Sequence, residues 1–304
     1  KPSSVLMATA IASLLGLPPV AFARSLPPID ALAQMPATAA APASTESANG
    51  GMTMDTRTGV PTFLPGSPAR ADLAARAATG SRKAGLDAEG TARAYLRDMA
   101  PLYRIEVAEI DALPVHSLQR LDGGGTIVRF SGTIDGVEVF REQANVLLDR
   151  NGDLAAIGGF VSGAGDARKR TTEPAAFDRN AAVAKALADY RFAPEVSTQL
   201  MVAGSKGAYT HLTLPATVTG ADGATLAGEA RVKPVWFRLG STLQRAFYIE
   251  LQMRDSATSR DADYYAYVVS AETGAILYRH NQTAEVAFSY RVYAEADGTH
   301  LPLP

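Results

Sequence analysis

Hydrophobic and polar residues alternate through the middle of the chain, and two turn-forming pairs interrupt the alternation. The pairs are Asp135-Gly136 and Asn151-Gly152. Such pairs favour tight hairpin turns, because glycine adopts a positive φ without steric cost. The pattern therefore predicts an antiparallel meander whose strands cover residues 126–134, 137–149 and 154–161.

A helix is predicted to precede this meander and to cover one of its faces. Asp87 is a good N-cap residue, and apolar residues recur near helical spacing over residues 88–100. Side chains two positions apart share one face of a strand, so Ala144, Val146 and Leu148 form an apolar row. We expect the helix to pack on that row.

The second half of the chain repeats this plan of a helix followed by strands. Asp178 is the expected N-cap of an alanine-rich helix over residues 181–190. Apolar runs at residues 232–239, 246–253 and 264–269 then predict three strands. The two halves together predict an α+β fold class, in which each half is a helix on an antiparallel sheet.

The N-terminus has the pattern of a secretory signal peptide over residues 1–23. A basic first residue precedes an apolar run that ends in an A-x-A motif, formed by Ala21 and Ala23. We therefore expect cleavage after Ala23 and a secreted or periplasmic protein that does not associate with a membrane after cleavage. Residues 24–84 are rich in alanine and proline, and this composition predicts a flexible leader.

Charge and composition exclude several classes of function. The formal net charge is −2 and no basic stripe is present, so nucleic acid is not an expected partner. The chain has no cysteine, which excludes disulfides and thiolate chemistry. None of the four histidines, His116, His211, His280 and His300, begins the H-E-x-x-H motif of zinc peptidases. We predict no catalytic residue, no metal ligand and no cofactor in this chain.

The first predicted subdomain resembles the fungalysin/thermolysin propeptide domain. That family shows the pattern V-R-F-x-Q-x-Y-x-G-V-P-V-F, followed by a strand and D-x-x-G. The chain matches the V-R-F, G-V, V-F and D-x-x-G parts at Val128-Arg129-Phe130, Gly136-Val137, Val139-Phe140 and Asp149 to Gly152. It departs from the family pattern at Gly132, Ile134 and Glu138.

The second predicted subdomain resembles a PepSY-type repeat. The family pattern is roughly A-Y-x-V-x-V, then W-x-V-x-V-D-A-x-T-G-x-I-L. The resembling segments are residues 246–251, residues 264–269, Ala271, Thr273-Gly274 and Ile276-Leu277.

Two such domains in this order resemble the pro-region of a secreted fungalysin-type zinc metallopeptidase. The resemblance implies two cystatin-like subdomains, at residues 85–165 and 175–283, after the signal peptide and the disordered leader. It also implies a function as intramolecular chaperone and inhibitor of a catalytic domain. That cognate metallopeptidase domain is the expected partner; it would hold the zinc and would follow a junction at residues 284–304.

The C-terminal stretch is the part of a pro-region that we expect to approach the active site of the partner. The partner-contact candidates in it are Tyr290, Val292, Tyr293 and His300. An alternative from a different class stays open: the chain could be a stand-alone exported module that inhibits proteases or captures a ligand between its two sheets. A protease assay on the isolated chain would test whether the chain itself has activity.

Overall fold

The structure is a computed structural model, and it describes most of the chain between residues 26 and 283. The described ranges are 26–34, 51–55, 58–66, 87–161, 170–171, 173–240, 242–256 and 258–283. Fourteen strands in these ranges form one continuous mixed sheet. Four α-helices accompany it: α1 (Ala88–Asp98), α2 (Ala100–Tyr103), α3 (Val107–Ala112) and α4 (Arg179–Leu187).

The N-terminal half of the sheet is built around the predicted meander. Its strands are β2 (Thr53–Met54), β3 (Pro61–Pro65), β4 (Val115–Arg120), β5 (Thr126–Ile134), β6 (Val137–Leu148) and β7 (Leu154–Phe160). The prediction of the meander is confirmed, since β5 covers the predicted residues and β6 and β7 each end one residue early. All pairs in this half are antiparallel.

Helix α1 begins where the sequence predicts and packs on the predicted face of β6. The carboxylate of Asp87 accepts a hydrogen bond from the backbone N–H of Gly90 at 2.7 Å, which caps the helix. Ala144, Val146 and Leu148 are buried in the same hydrophobic cluster as the apolar residues of α1. The amphipathic pattern of the sequence therefore determines how this helix docks.

The C-terminal half of the sheet extends from β11 outwards. Its strands are β1 (Ile29–Asp30), β8 (Met201–Lys206), β9 (Tyr209–Thr213), β10 (Thr225–Leu226), β11 (Ala230–Leu239), β12 (Thr242–Arg254), β13 (Asp263–Ser270) and β14 (Ile276–Asn281). Asp178 caps α4 through a 2.8 Å bond from the Ala181 N–H. Two short 3-10 helices, Ala188–Tyr190 and Pro194–Thr198, follow α4.

The two halves share one sheet, so the prediction of two separate cystatin-like, helix-on-sheet subdomains is wrong. Strands β6 and β11 pair in parallel through Val139 and Trp236. The later residues of β6 pair with β7 instead. Arg141, between these two parts of β6, has a φ of 62° and breaks the alternation of the strand. This long-range pairing leaves no local pattern in the sequence.

Ion pairs and one aromatic side chain reinforce the junction between β6 and β11. The Nε of Arg238 lies 2.6 Å from a carboxylate oxygen of Glu142, and both side chains are buried. The Nζ of Lys233 lies 2.5 Å from a carboxylate oxygen of Glu138. The Trp236 indole N–H donates to the backbone oxygen of Ile134 at 3.2 Å. The junction therefore combines one bridge of backbone pairing with polar side-chain contacts.

Both long helices lie on the same face of the sheet. Glu142 belongs to the α1 side of β6, because it is two residues from the buried Ala144. Its partner Arg238 lies an even number of positions from Val232 on β11, so both point to the same side, and Val232 packs in the cluster under α4. The opposite face, which we call the open face, carries no helix among the described residues.

Three short strands come from the stretch for which composition predicts a flexible leader. β1 pairs with β14, and β2 and β3 extend the sheet beyond β7. Residues 26–34 cross the β14 edge: Leu26 packs against the cluster under α4, and Ala31 and Leu32 pack on the open face. Met52, Val60 and Leu64 are buried in the cluster under α1, so apolar packing as well as backbone hydrogen bonds at the sheet edge holds β2 and β3.

Candidate functional site

The open face carries a continuous row of aromatic rings, which we call the aromatic strip. It consists of Tyr209, Tyr248, Phe140, Tyr278 and His280 in spatial order. The ring centroids are 6.4, 5.8, 5.1 and 6.2 Å apart from one neighbour to the next. These are distances of favourable aromatic contact. The strip crosses β9, β12, β6 and β14, so it spans both halves of the sheet.

The alternation of strand side chains places these rings on the open face. On β12, Ile249 and Leu251 are buried in the cluster under α4, so Tyr248 and Glu250 point to the other side. Phe140 lies just before the irregular residue of β6 and stacks on Phe237 of β11, with centroids 5.9 Å apart. The strip therefore depends on the junction between the two halves.

Hydrogen bonds to a buried carboxylate hold one end of the strip. Glu250 accepts from the hydroxyl of Tyr264 at 2.5 Å and from that of Tyr209 at 3.4 Å. The Nη1 of Arg231 lies 2.7 Å from the same carboxylate. The cations of Arg231 and Lys233 lie 4.6 and 5.0 Å from the centroid of the Tyr209 ring. These contacts fix the positions of the rings.

Residues 26–34 hold the other end of the strip. The carboxylate of Asp30 lies 2.8 Å from Nη1 of Arg141, and that guanidinium lies 5.2 Å from the centroid of the Tyr278 ring. The backbone N–H of Ala31 donates to the Leu277 oxygen at 2.9 Å. The N-terminal segment thus connects β14 to β6 across the open face.

Burial and the neighbouring carboxylate keep the tyrosines of this site protonated. Burial is the larger cause and the charge or hydrogen bond of Glu250 the next, and together they raise the pKa of Tyr209 to about 12. The same causes raise the pKa of Tyr264 to about 12, and burial also raises the pKa of Tyr248. Protonated hydroxyls can donate to Glu250, which matches the observed hydrogen bonds.

We expect the stability of the protein to fall as the pH rises from about 10 towards 12. The pKa values of Tyr209 and Tyr264 are raised in the fold from an ordinary value of 10.0. The folded state therefore holds these protons more tightly, and its advantage is complete below pH 10.0 and is lost at higher pH. Urea unfolding across this pH range measures the slope. Replacing both tyrosines with phenylalanine should make the slope less steep but not remove it, because burial also raises the pKa of other tyrosines, among them Tyr190 and Tyr267. An unchanged slope would contradict a contribution of Tyr209 and Tyr264.

The strip and the cations beside it consist of side-chain types that are common at binding surfaces. Tyrosine rings and guanidinium groups are enriched at protein–protein interfaces, where they supply much of the binding energy. In the described ranges, no group of three or more His, Asp or Glu side chains is arranged to hold a metal ion. No helix in the same ranges is both long enough and apolar enough to cross a membrane.

Two open depressions lie away from the strip. One, of about 620 Å³, is bordered by Phe177, Asn180 and Phe247 near the start of α4. The other, of about 760 Å³, is bordered by Arg254 and Arg260, among others. Neither depression adjoins the ring contacts that define the strip.

The sequence-based site residues fall outside the part of the chain that the structure describes. They are the partner-contact candidates Tyr290, Val292, Tyr293 and His300, and the signal-cleavage residues Ala21 and Ala23. Of the other histidines, His116 lies on β4, His211 lies 2.6 Å from a carboxylate oxygen of Glu229, and His280 belongs to the strip.

Sequence reasoning missed the strip, although one signal for it was present. Tyr248 alternates with the buried apolar residues Ile249 and Leu251 on β12, so it had to point away from the core. Tyr209 could not be found in this way, because its strand is short. Phe140 meets the other rings only because β6 pairs with β11, and the sequence does not reveal this pairing.

Comparisons with known proteins find little that resembles this chain. No family model matches it, and no curated protein matches it. Among solved structures, the Bacillus megaterium YpeB C-terminal domain is similar at a TM-score of 0.26 and 12% sequence identity. The match covers 64% of this chain and 63% of that structure. A similarity this weak carries no argument about function, and the resemblance to the fungalysin/thermolysin propeptide stays a prediction.

Proposed function

We propose that this chain is the pro-region of a secreted zinc metallopeptidase, and that it assists the folding of the catalytic domain and then inhibits it. The aromatic strip is the observation that carries the proposal. It offers tyrosine rings and guanidinium groups on a face that no described helix covers. Export through a signal peptide cut after Ala23 belongs to the same proposal, and zinc would be held by the catalytic domain.

The residues that resemble the propeptide pattern divide between the core and the open face. Val128 and Phe130 are buried in the cluster under α1, so they support the sheet. Arg129 lies between them and points to the open face, where its Nε donates to the Asn145 side chain at 2.7 Å. This division leaves Arg129 as the member of the V-R-F motif that a partner could reach.

A rigid, aromatic sheet face suits the two roles in the proposal. The rings of the strip are held by each other and by ion pairs, so less side-chain entropy is lost when a partner binds. Secreted proteases are often kinetically stable, with a high barrier between the folded and unfolded states. A preformed surface that binds the folding catalytic domain would lower that barrier. The same surface, still bound afterwards, would block access to the active site.

Refolding of a catalytic domain tests the proposal. The domain would be that of a fungalysin-type zinc peptidase from the same genome, denatured and refolded with and without this chain. We expect peptidase activity to return when the chain is present, and the mature enzyme to be inhibited when the chain is added later. Equal recovery with and without the chain would contradict the chaperone role.

A matched pair of variants tests whether the recovery of activity depends on the strip. Tyr278→Ala removes a ring from the strip, and Val107→Ala removes an exposed apolar side chain from α3 on the other side of the sheet. We expect only the first to reduce the recovery of activity. Inhibition of the mature enzyme without any help in refolding would support the alternative, a stand-alone exported inhibitor.

A further inference from the structure

Strand β8 is an open and apolar edge of the sheet. In the described part of the chain it pairs only with β9. Five of its six residues are exposed, and the side chains of Met201 and Val202 are 54% and 55% exposed. An edge strand presents unpaired backbone N–H and C=O groups, so it is a template for another strand.

The other edges of the described sheet are covered, only two residues long, or more polar than β8. β1 covers the edge of β14, and β3 and β2 extend the sheet beyond β7. β4 is also open in the described ranges and exposes Leu118, but it carries His116, Gln119 and Arg120 as well. Polar and charged side chains normally protect an edge strand from pairing. β8 instead begins with three exposed apolar residues, residues 201–203, and its charge, on Lys206, lies at its far end.

The β8 edge lies next to one end of the aromatic strip. Lys206 of β8 pairs with Tyr209 of β9, and Tyr209 is the first ring of the strip. A register shift between Val202 and Gly204 bends the hairpin without covering Met201 or Val202. A polypeptide bound on the strip would therefore reach β8 without crossing another element of the described fold.

We propose that β8 binds an extended segment of the partner polypeptide, which adds to the sheet as a further strand. This inference rests on the proposed function, because the strip supplies the larger part of the contact. Strand addition supplies affinity through main-chain hydrogen bonds and specificity through alternate side chains. A second copy of this chain fits less well, since stable protein interfaces bury more than about 1,000 Å² and a six-residue edge is too small.

Charged substitutions on the two open edges test the inference. Val202→Lys places a charge on β8, and Leu118→Lys places the same charge on β4, where the native side chain is 45% exposed. The probe is the refolded catalytic domain used above, titrated by calorimetry. We expect Val202→Lys to weaken binding about tenfold, equivalent to about 1.4 kcal/mol, and Leu118→Lys to leave it unchanged.

Hydrogen exchange gives a second readout that does not depend on a variant. The amides of residues 201–206 should become protected when the catalytic domain binds, whereas those of β4 should not. Protection at the strip without protection at β8, together with unchanged binding by Val202→Lys, would overturn strand addition and leave the proposed function intact. If the wild-type chain does not bind the catalytic domain at all, both proposals fail.

Self-association is the competing outcome, and it can be measured directly. Light scattering coupled to size exclusion gives the mass of the chain alone. A monomeric wild type supports the inference. A dimer that Val202→Lys dissociates would show that a second copy occupies β8, and that result would overturn it.

Discussion

Replacing Arg238 with methionine should lower the free energy of unfolding by about 3–5 kcal/mol. The Arg238 guanidinium contacts the Glu142 carboxylate at 2.6 Å, and their side chains are 8% and 2% exposed. A buried carboxylate that loses its arginine keeps the cost of desolvation and loses the attraction that offset it. Because this pair joins β6 to β11, the loss should also weaken the contact between the halves. Urea unfolding of the full chain measures the change.

Two further variants show whether burial is the cause. Replacing Arg238 with methionine and Glu142 with leucine together removes both charges, and most of the lost stability should return. Arg97→Met breaks a salt bridge to Asp111 in which both side chains are more than 40% exposed. That change should cost about 1 kcal/mol or less. If Arg238→Met costs no more than Arg97→Met, the buried pair does not stabilise the junction.

Local structure could be predicted from this sequence because its signals are local. The Asp-Gly and Asn-Gly turns define the ends of β5, β6 and β7. The first has a positive φ at both Asp135 and Gly136, and the second has one at Gly152, so both depend on residue types that tolerate this conformation. The caps of α1 and α4 follow from Asp87 and Asp178, whose carboxylates need only reach a backbone N–H three residues on.

The assembly of these elements could not be predicted, because it depends on contacts between distant residues. Val139 pairs with Trp236, and Arg238 with Glu142, across a long stretch of chain. Each half alone satisfies the pattern of a helix on its own sheet, so nothing in the alternation indicates that β6 has a second partner. Arg141 adopts a left-handed conformation, which is rare for residues other than glycine, and no pattern in the sequence predicts it.

The candidate site was harder to predict than the fold for a related reason. The partner contacts predicted from the sequence lie in the C-terminal stretch, outside the described residues, so they stay a prediction. The strip combines Tyr209, Phe140 and Tyr278 from three strands that meet only in the joined sheet. A surface that forms through long-range pairing has no contiguous motif, and only the register of the strands reveals it.

Replacing Gly159 with alanine should lower the free energy of unfolding by about 2–5 kcal/mol, through two additive causes. Gly159 has a φ of +75°, a conformation that costs an L-residue about 1–2 kcal/mol. A Cβ on this residue would also lie 2.2 Å from the backbone oxygen of Gln143, which cannot move without shifting β6. Gln143 lies at the start of the part of β6 that pairs with β7, close to the part that pairs with β11. The clash should therefore also weaken the junction between β6 and β11.

The neighbouring Gly158 is a matched control for this prediction. It lies on the same strand, and a Cβ built on it meets nothing within 4 Å. Gly158→Ala should therefore be neutral or slightly stabilising, because alanine reduces the conformational entropy of the unfolded chain. Thermal and urea unfolding of the two variants give the comparison. Equal effects of the two substitutions would show that the backbone of β7 is not held against β6 as closely as the register of these strands requires.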